Sequence, residues 1–531
     1  MRRRDVLKSA AATSIGLAAP NLAFGQAAAK TLKFVPHADP VSLDPVWTTA
    51  DITRNYSLAV YDTLYGLDAK LNPQMQMVGA EKIENDGKLW TLTLRDGLKF
   101  HDGTPVLARD CVASIRRGGS RDPLLNLVIQ RSDEISAPDD KTIRIVLKKP
   151  FPLLRDALTQ APASIMPERV AKTEGTVQIT ETIGSGPYRI LTGERVPGAK
   201  IVFARNEAYV PRAEGLASYT AGPKIAYFDR IEWHILPDPA TISAALVNNE
   251  VDWWENPAID LLPSLKRDKA MVVKTIDPYG SIGCMRFNHL HAPFDKAAVR
   301  RAVMSACNQD EFILAFAGAD PSIINNPCGL FSSGSPLASN VGTEAVGRLS
   351  KNLEQVKKDL AAAGYNGEKV VILGATTIPV LHAYSQVTAD LLKRLGMNID
   401  YQAIEWGTVV QRRASKEPID KGGWNIFLTN LGGNGNVSPA SASAIRSGQA
   451  AWFGWPNMPK MEALRDTWLD APDLAAQKAI GLEMQKLLFE EAPYVPLGYY
   501  AGPTIHRNSI KDVRDGFPQP TARRSRAASG R

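Results

Sequence analysis

The stretch Trp90-Thr91-Leu92-Thr93-Leu94-Arg95-Asp96-Gly97-Leu98-Lys99-Phe100-His101-Asp102-Gly103-Thr104-Pro105 reads as a strand that runs into two successive turns. Trp90, Leu92 and Leu94 alternate with Thr91 and Thr93, the period of two that marks a half-buried strand. Arg95-Asp96-Gly97 and His101-Asp102-Gly103 then set a glycine where a tight turn asks for positive φ, which a residue with a Cβ resists. His101 beside Asp102 has the makings of a catalytic pair, yet neighbours in a turn point apart and no activated nucleophile stands near them, so the pair is read as structural.

Outward from this stretch the same alternation returns. Thr142 to Leu147 puts Ile143, Ile145 and Leu147 on one face, and Thr31 to Pro36 is a short apolar strand. Apolar residues at three- and four-residue spacing predict helices over 297–306, 353–363, 385–395 and 475–489, two of them stopped by Gly364 and Gly396. The strands predicted at 369–373 and 398–403 flank the 385–395 helix, a strand, helix, strand unit suited to parallel pairing. The chain is therefore an α/β protein.

Two more stretches complete the pattern: Gly184-Ser185-Gly186-Pro187-Tyr188, and Phe287-Asn288 with Pro293-Phe294-Asp295 and Val299-Arg300-Arg301-Ala302. The first lacks the spacing of a hydrolase elbow and reads as a chain crossing into a strand at Pro187 and Tyr188. In the second, Asp295 is placed to cap the helix at Ala297. With the opening stretch, these resemble the peptide and nickel type, family 5, of periplasmic solute-binding proteins of ABC importers, and the resemblance extends over most of the chain.

That resemblance implies a two-lobed periplasmic-binding-protein fold, type II, of the large-ligand class, with a small inserted third domain. Lobe one is expected from residues 26–62, 184–283 and 496–517, the inserted domain from 63–183, and lobe two from 284–495. The implied activity is capture of a small polar solute, a peptide or peptide-like amino-acid conjugate, between the lobes, and its delivery as a monomer to an inner-membrane ABC permease. A nickel or metal-chelate receptor of the same fold is the alternative. In peptide-binding members a tryptophan followed by an aspartate holds the ligand's ammonium group. Here the matching stretch carries Leu431 and Asn434, and Glu462 is the only acid between Lys421 and Arg465. The implied ligand-binding residues are Trp406, Asn430, Asn434, Trp254 and Trp424, with Trp406 foremost; Trp253 and Trp455 are further aromatic candidates.

The ends account for the charge. Residues 1–25 read as an export signal in which Arg3-Arg4-Asp5-Val6-Leu7-Lys8 fits the twin-arginine pattern, with no cysteine near the cleavage site for a lipid anchor, so the expected location is the periplasm. Of the formal +7 over 531 residues, this segment carries +3 and the basic tail 518–531, expected to be disordered, carries +4, which leaves a neutral body and no case for a nucleic-acid partner. No apolar run reaches the length of a membrane span. Zinc-helix, Walker, haem and hydrolase-elbow motifs are absent, no cofactor is expected, and the reading is not an enzyme. Seven histidines include one close pair, His289 and His291. The four cysteines lack metal spacing and leave open a Cys307–Cys328 bridge or buried free thiols.

Overall fold

A computed structural model describes residues 30–318, 322–448, 451–516 and 523–524, so the export signal lies outside the described residues. The alternating segments pair into three main sheets. The seven-stranded sheet of the first lobe runs Met271–Lys274, Thr504–Arg507, Trp253–Trp254, Thr31–Val35, Arg230–His234, Lys200–Arg205, Tyr188–Ile190. Thr31–Val35 pairs parallel with both neighbours, and on one face Phe34, Trp233, Trp253 and Phe203 bring their rings within 5.2 to 5.6 Å to form its core. Val78–Glu84, Leu89–Leu94, Thr142–Leu147 and Ser132–Ser136 form a separate antiparallel sheet, from residues that precede Tyr188 in the chain.

The second lobe is built on Asn398–Ile404, Lys369–Ala375, Ile426–Gly432, Ser281–Phe287 and Tyr494–Tyr500. The first two pair parallel, joined by the helix Pro379–Arg394. That helix starts six residues ahead of the predicted 385, because Pro379 at its first position has no N–H to lose and a φ already set for helix. The helices Ala297–Ala306, Leu353–Ala362 and Leu474–Glu491 lie close to their predicted spans.

Several expectations change. Asp295 does not cap the Ala297 helix: Lys296 stands at the cap with no side-chain hydrogen bond, while Arg300 holds the preceding loop by donating to the Phe294 and Asp295 carbonyls. The five-stranded sheet begins at Ser281, three residues before the expected start of lobe two, and it keeps residues 496–500, which the sequence reading gave to lobe one. Pro496 looks like a break there, but Tyr494–Tyr500 is an edge strand, where a missing N–H is tolerated. The chain returns to the first lobe at Thr504. In the basic tail, Arg523–Arg524 is a short strand against Ile510–Lys511, with Arg524 on the Asp252 carboxylate at 2.6 Å. All four cysteines are buried free thiols, so there is no Cys307–Cys328 bridge. Among the described residues no helix is long and apolar enough to cross a membrane.

His101 of the opening stretch holds a second turn in place. Its Nδ1 accepts from the Gly184 N–H at 3.1 Å and its Nε2 lies 3.2 Å from the Gly186 carbonyl, which fixes the proton on Nε2. Burial lowers its pKa to about 4, so the neutral ring ties the first glycine turn to the Gly184-Ser185-Gly186 crossing. Gly97 and Gly103 take the positive φ expected of them, 79° and 84°.

Candidate functional site

The two larger sheets present their loops to one another across a cavity of about 640 Å³, within the range of small-molecule sites. Its first-lobe wall includes Pro36, His37, residues 49–51, Arg54, Trp254, Glu255 and Asp277; its second-lobe wall includes Phe316, residues 377–383, Trp406, Arg413, Thr429, Asn430, Gly432, Trp452 and Tyr500. The walls touch at Thr49, whose hydroxyl accepts from Trp452 Nε1 at 3.3 Å and from Arg413 Nη2 at 3.4 Å.

Arg413 follows the short helix Trp406–Arg412 and is 1 % exposed. Its guanidinium sits 4.6 Å from the Phe453 ring centre and 5.5 to 5.7 Å from those of Trp406, Trp452 and Phe427. Rings stabilise a cation through their faces but supply no hydrogen-bond acceptor. Nε has no partner, and among the described residues Arg413 makes no ion pair. Burial pulls its pKa down to about 10, against the pull of Asp51, so it remains a cation at neutral pH. Asp51 itself is bonded to Arg54 at 2.8 Å.

Other polar atoms on the wall are also unsatisfied. Asn430 donates to the Tyr500 hydroxyl at 2.9 Å and leaves Oδ1 without a partner, and His382 Nδ1 is in the same position. Unpartnered buried polar atoms occur elsewhere among the described residues too; on this wall they leave one acceptor, one donor and one histidine nitrogen free for a bound solute.

On the first-lobe wall Glu255 is fully engaged. Oε2 accepts from both the backbone N–H and Nδ1 of His37 at 2.8 Å, and Oε1 accepts from Asn55 at 2.7 Å. Burial opposes charge on both partners, but their mutual attraction outweighs it: Glu255 is held below its ordinary pKa and His37 above its own. A raised histidine contributes stability that is complete below its unfolded pKa and lost as pH rises through the folded one; the depressed glutamate contributes above its unfolded pKa and loses it as pH falls through the folded one. The pair is therefore strongest between about pH 4.5 and 6.5, the ordinary values of the two groups. Thermal unfolding of His37→Asn without ligand is expected to show its largest loss relative to wild type at pH 5.5 and a smaller one at pH 8. An equal loss at both would mean that His37 acts here only as a neutral hydrogen-bonding group.

Of the residues expected at the site, Trp406, Trp254 and Asn430 line the cavity. Trp424 does not: it is fully buried beneath Phe427 and Trp455 and donates Nε1 to the Ser415 carbonyl. Trp253 is likewise a core residue, bonded to Thr504. Asn434 is absent from the wall but lies beside it, its Oδ1 3.5 Å from where a Cβ on Gly432 would stand. Leu431 turns into the core, as the alternation of Ile426–Gly432 requires when Asn430 and Gly432 face the cavity. Sequence reasoning missed Arg413, Trp452, Tyr500 and Asp277. Arg413 alone carried a signal, since it stands seven residues after Trp406, two helical turns along one face. Among the described residues no group of three or more His, Cys, Asp or Glu is placed to hold a metal, and His289 is turned to the Pro493 carbonyl, its pKa driven far down by burial and by Arg300 and Arg286.

A family model described as bacterial extracellular solute-binding proteins, family 5, middle matches residues 72–453. The chain is 38 % identical over 514 residues, 96 % of each protein, to a probable peptide ABC transporter periplasmic-binding protein of Sinorhizobium fredii. It is 25 % identical over 486 residues, 86 % of this chain and 85 % of the other, to a glutathione-binding protein of Pectobacterium atrosepticum. Among solved structures, the agropinic acid complex of the periplasmic binding protein AgaA from A. tumefaciens R10 superposes with a TM-score of 0.77 at 20 % identity, over 94 % of this chain and 99 % of that one, a likeness of fold. The match over most of the chain, together with the two-lobed architecture around one cavity, settles the lineage: this protein belongs to the family 5 bacterial extracellular solute-binding proteins.

Proposed function

We propose that this protein is the periplasmic receptor of an ABC importer for a peptide or peptide-like solute, and that the solute presents a carboxylate to Arg413. The observation that carries this reading is a buried guanidinium on the cavity wall with four aromatic rings around it and, among the described residues, no carboxylate bonded to it. An arginine enclosed in this way is short of an acceptor, and a carboxylate meets its fork with two charge-assisted hydrogen bonds. The relatives agree with this chemistry, being named for peptide and for glutathione. In this reading the protein reaches the periplasm by the twin-arginine route, works as a monomer, carries out no reaction, and docks its closed form on the permease. Closure is driven by the difference in solute affinity between closed and open forms.

The test is a thermal-shift screen of the mature protein against trialanine, N-acetyl-trialanine, glutathione and agropinic acid, with the C-terminal amides of the two alanine peptides alongside. A ligand at 100 times its dissociation constant adds about 2.7 kcal/mol of stability, a shift of a few degrees. Stabilisation by at least one free acid and not by its amide is the expected result. No response to any of these solutes would overturn the assignment to peptide-like substrates.

A further inference from the structure

A peptide-like solute held by its carboxylate often brings an ammonium group as well, and the cavity wall contains four acids that could face one: Asp51, Glu255, Asp260 and Asp277. Three are accounted for. Asp51 is bonded to Arg54, Glu255 has every oxygen occupied by His37 and Asn55, and Asp260 is exposed to solvent. The second-lobe segment from Lys421 to Arg465 offers only Glu462, which Arg446, Arg465 and the Ser447 N–H already engage.

Asp277 is different. It lies on the crossing between Lys274, the end of a first-lobe strand, and Ser281, the start of a second-lobe strand, and it is half-buried. Its Oδ1 accepts from the Tyr279 N–H at 2.9 Å, and no other side-chain bond or ion pair engages the carboxylate among the described residues. Lys274, the nearest cation in sequence, is turned to Asp515 at 2.7 Å. Burial, with a smaller push from Asp51, raises the Asp277 pKa to about 6 against the Tyr279 N–H and the more distant charge of Arg54, as expected of a carboxylate short of a cation. On the same cavity, Arg413 is a buried cation short of an anion and Asn430 keeps an unpartnered oxygen.

We infer that Asp277 is the cation anchor of the cavity and takes an ammonium group of the solute, so that the site selects a dipolar molecule with its ammonium toward the lobe crossing and its carboxylate toward Arg413. The inference rests on the peptide-like reading given above. An ammonium at Asp277 supplies the bonded charge partner that the described residues do not, and its position on the crossing places the contact where both lobes meet.

Calorimetric titration of trialanine and N-acetyl-trialanine into wild type, Asp277→Asn and Asp277→Glu tests it. Wild type is expected to bind the free amine at least about tenfold more tightly than the acetylated form, the scale of one hydrogen bond to a charged group. Asp277→Asn is expected to remove that preference while leaving the acetylated form unchanged, and Asp277→Glu to recover part of it. Equal binding of both forms by wild type, or a preference that survives in Asp277→Asn, would overturn the ammonium site and leave the carboxylate reading intact. Failure of both forms to bind wild type would overturn the ammonium site for peptides and leave the carboxylate reading to stand or fall with glutathione and agropinic acid. Thermal unfolding without ligand separates a folding defect: Asp277→Asn is expected to be no less stable than wild type, and a drop in melting temperature with the amine preference unchanged would make Asp277 structural.

Discussion

Arg413→Met lowers the affinity for carboxylate-bearing solutes by at least about 30-fold, the lower end of what is lost when one partner of a buried, hydrogen-bonded charge pair is truncated. Methionine keeps an unbranched, polarisable chain against Trp406, Trp452, Phe427 and Phe453, so the packing changes little and the deleted quantity is the charged fork. The matched amides, which offer no anion, lose little or nothing. Arg413→Lys keeps the charge but presents a compact ammonium in place of a planar fork, and falls between the two. Calorimetry of the three proteins with each acid and amide reads this directly. A purely structural arginine would lower binding of acid and amide alike; equal losses for the two forms would therefore exclude a carboxylate contact.

The same residue shows where sequence reading stops. The strands at 89–94 and 142–147 and the helices at 297–306 and 353–362 were legible because alternation and helical spacing are local properties of the chain. The lobe crossings were harder, since membership of a sheet depends on pairing: residues 496–500 fall with the second lobe because Tyr494–Tyr500 pairs with Ser281–Phe287. At the site, Trp406 and Trp424 are alike in type, and only the fold turns one to the cavity and the other to the core. Arg413 follows Arg412 in a polar stretch that looks like a solvated helix end. Its burial comes from Thr49, Trp452 and Phe453, residues far away in the chain. Asp277 is one aspartate before a proline in a loop, and its distinction is that no cation among the described residues is bonded to it, which no sequence pattern records.

Gly407 supplies the second large effect, because it tests lobe closure without altering a contact to the solute. It is the second residue of the helix Trp406–Arg412, and a Cβ there would stand 2.4 Å from Cγ1 of Val41 in the first lobe. Gly407 has no positive φ, so a larger residue is compatible with its backbone, and valine is a better helix former than glycine. Within the second lobe the substitution is therefore tolerated. Between the lobes it is a wedge: Val41, although 38 % exposed, is β-branched and stiff at χ1, so the cost falls toward the lower part of the about 1 to 3 kcal/mol of overpacking. Gly407→Val should weaken solute binding by at least about tenfold, which corresponds to 1.4 kcal/mol, and leave the ligand-free melting temperature near that of wild type. Small-angle scattering should show that saturating solute compacts wild type more than the variant. Val41→Ala removes the opposing methyl groups, so the double variant Val41→Ala, Gly407→Val should recover most of the affinity if the two residues act through their mutual contact. Undiminished affinity in Gly407→Val would mean that the solute is held without the lobes approaching as closely as they do here, and an unrescued double variant would trace the loss to the helix and away from closure.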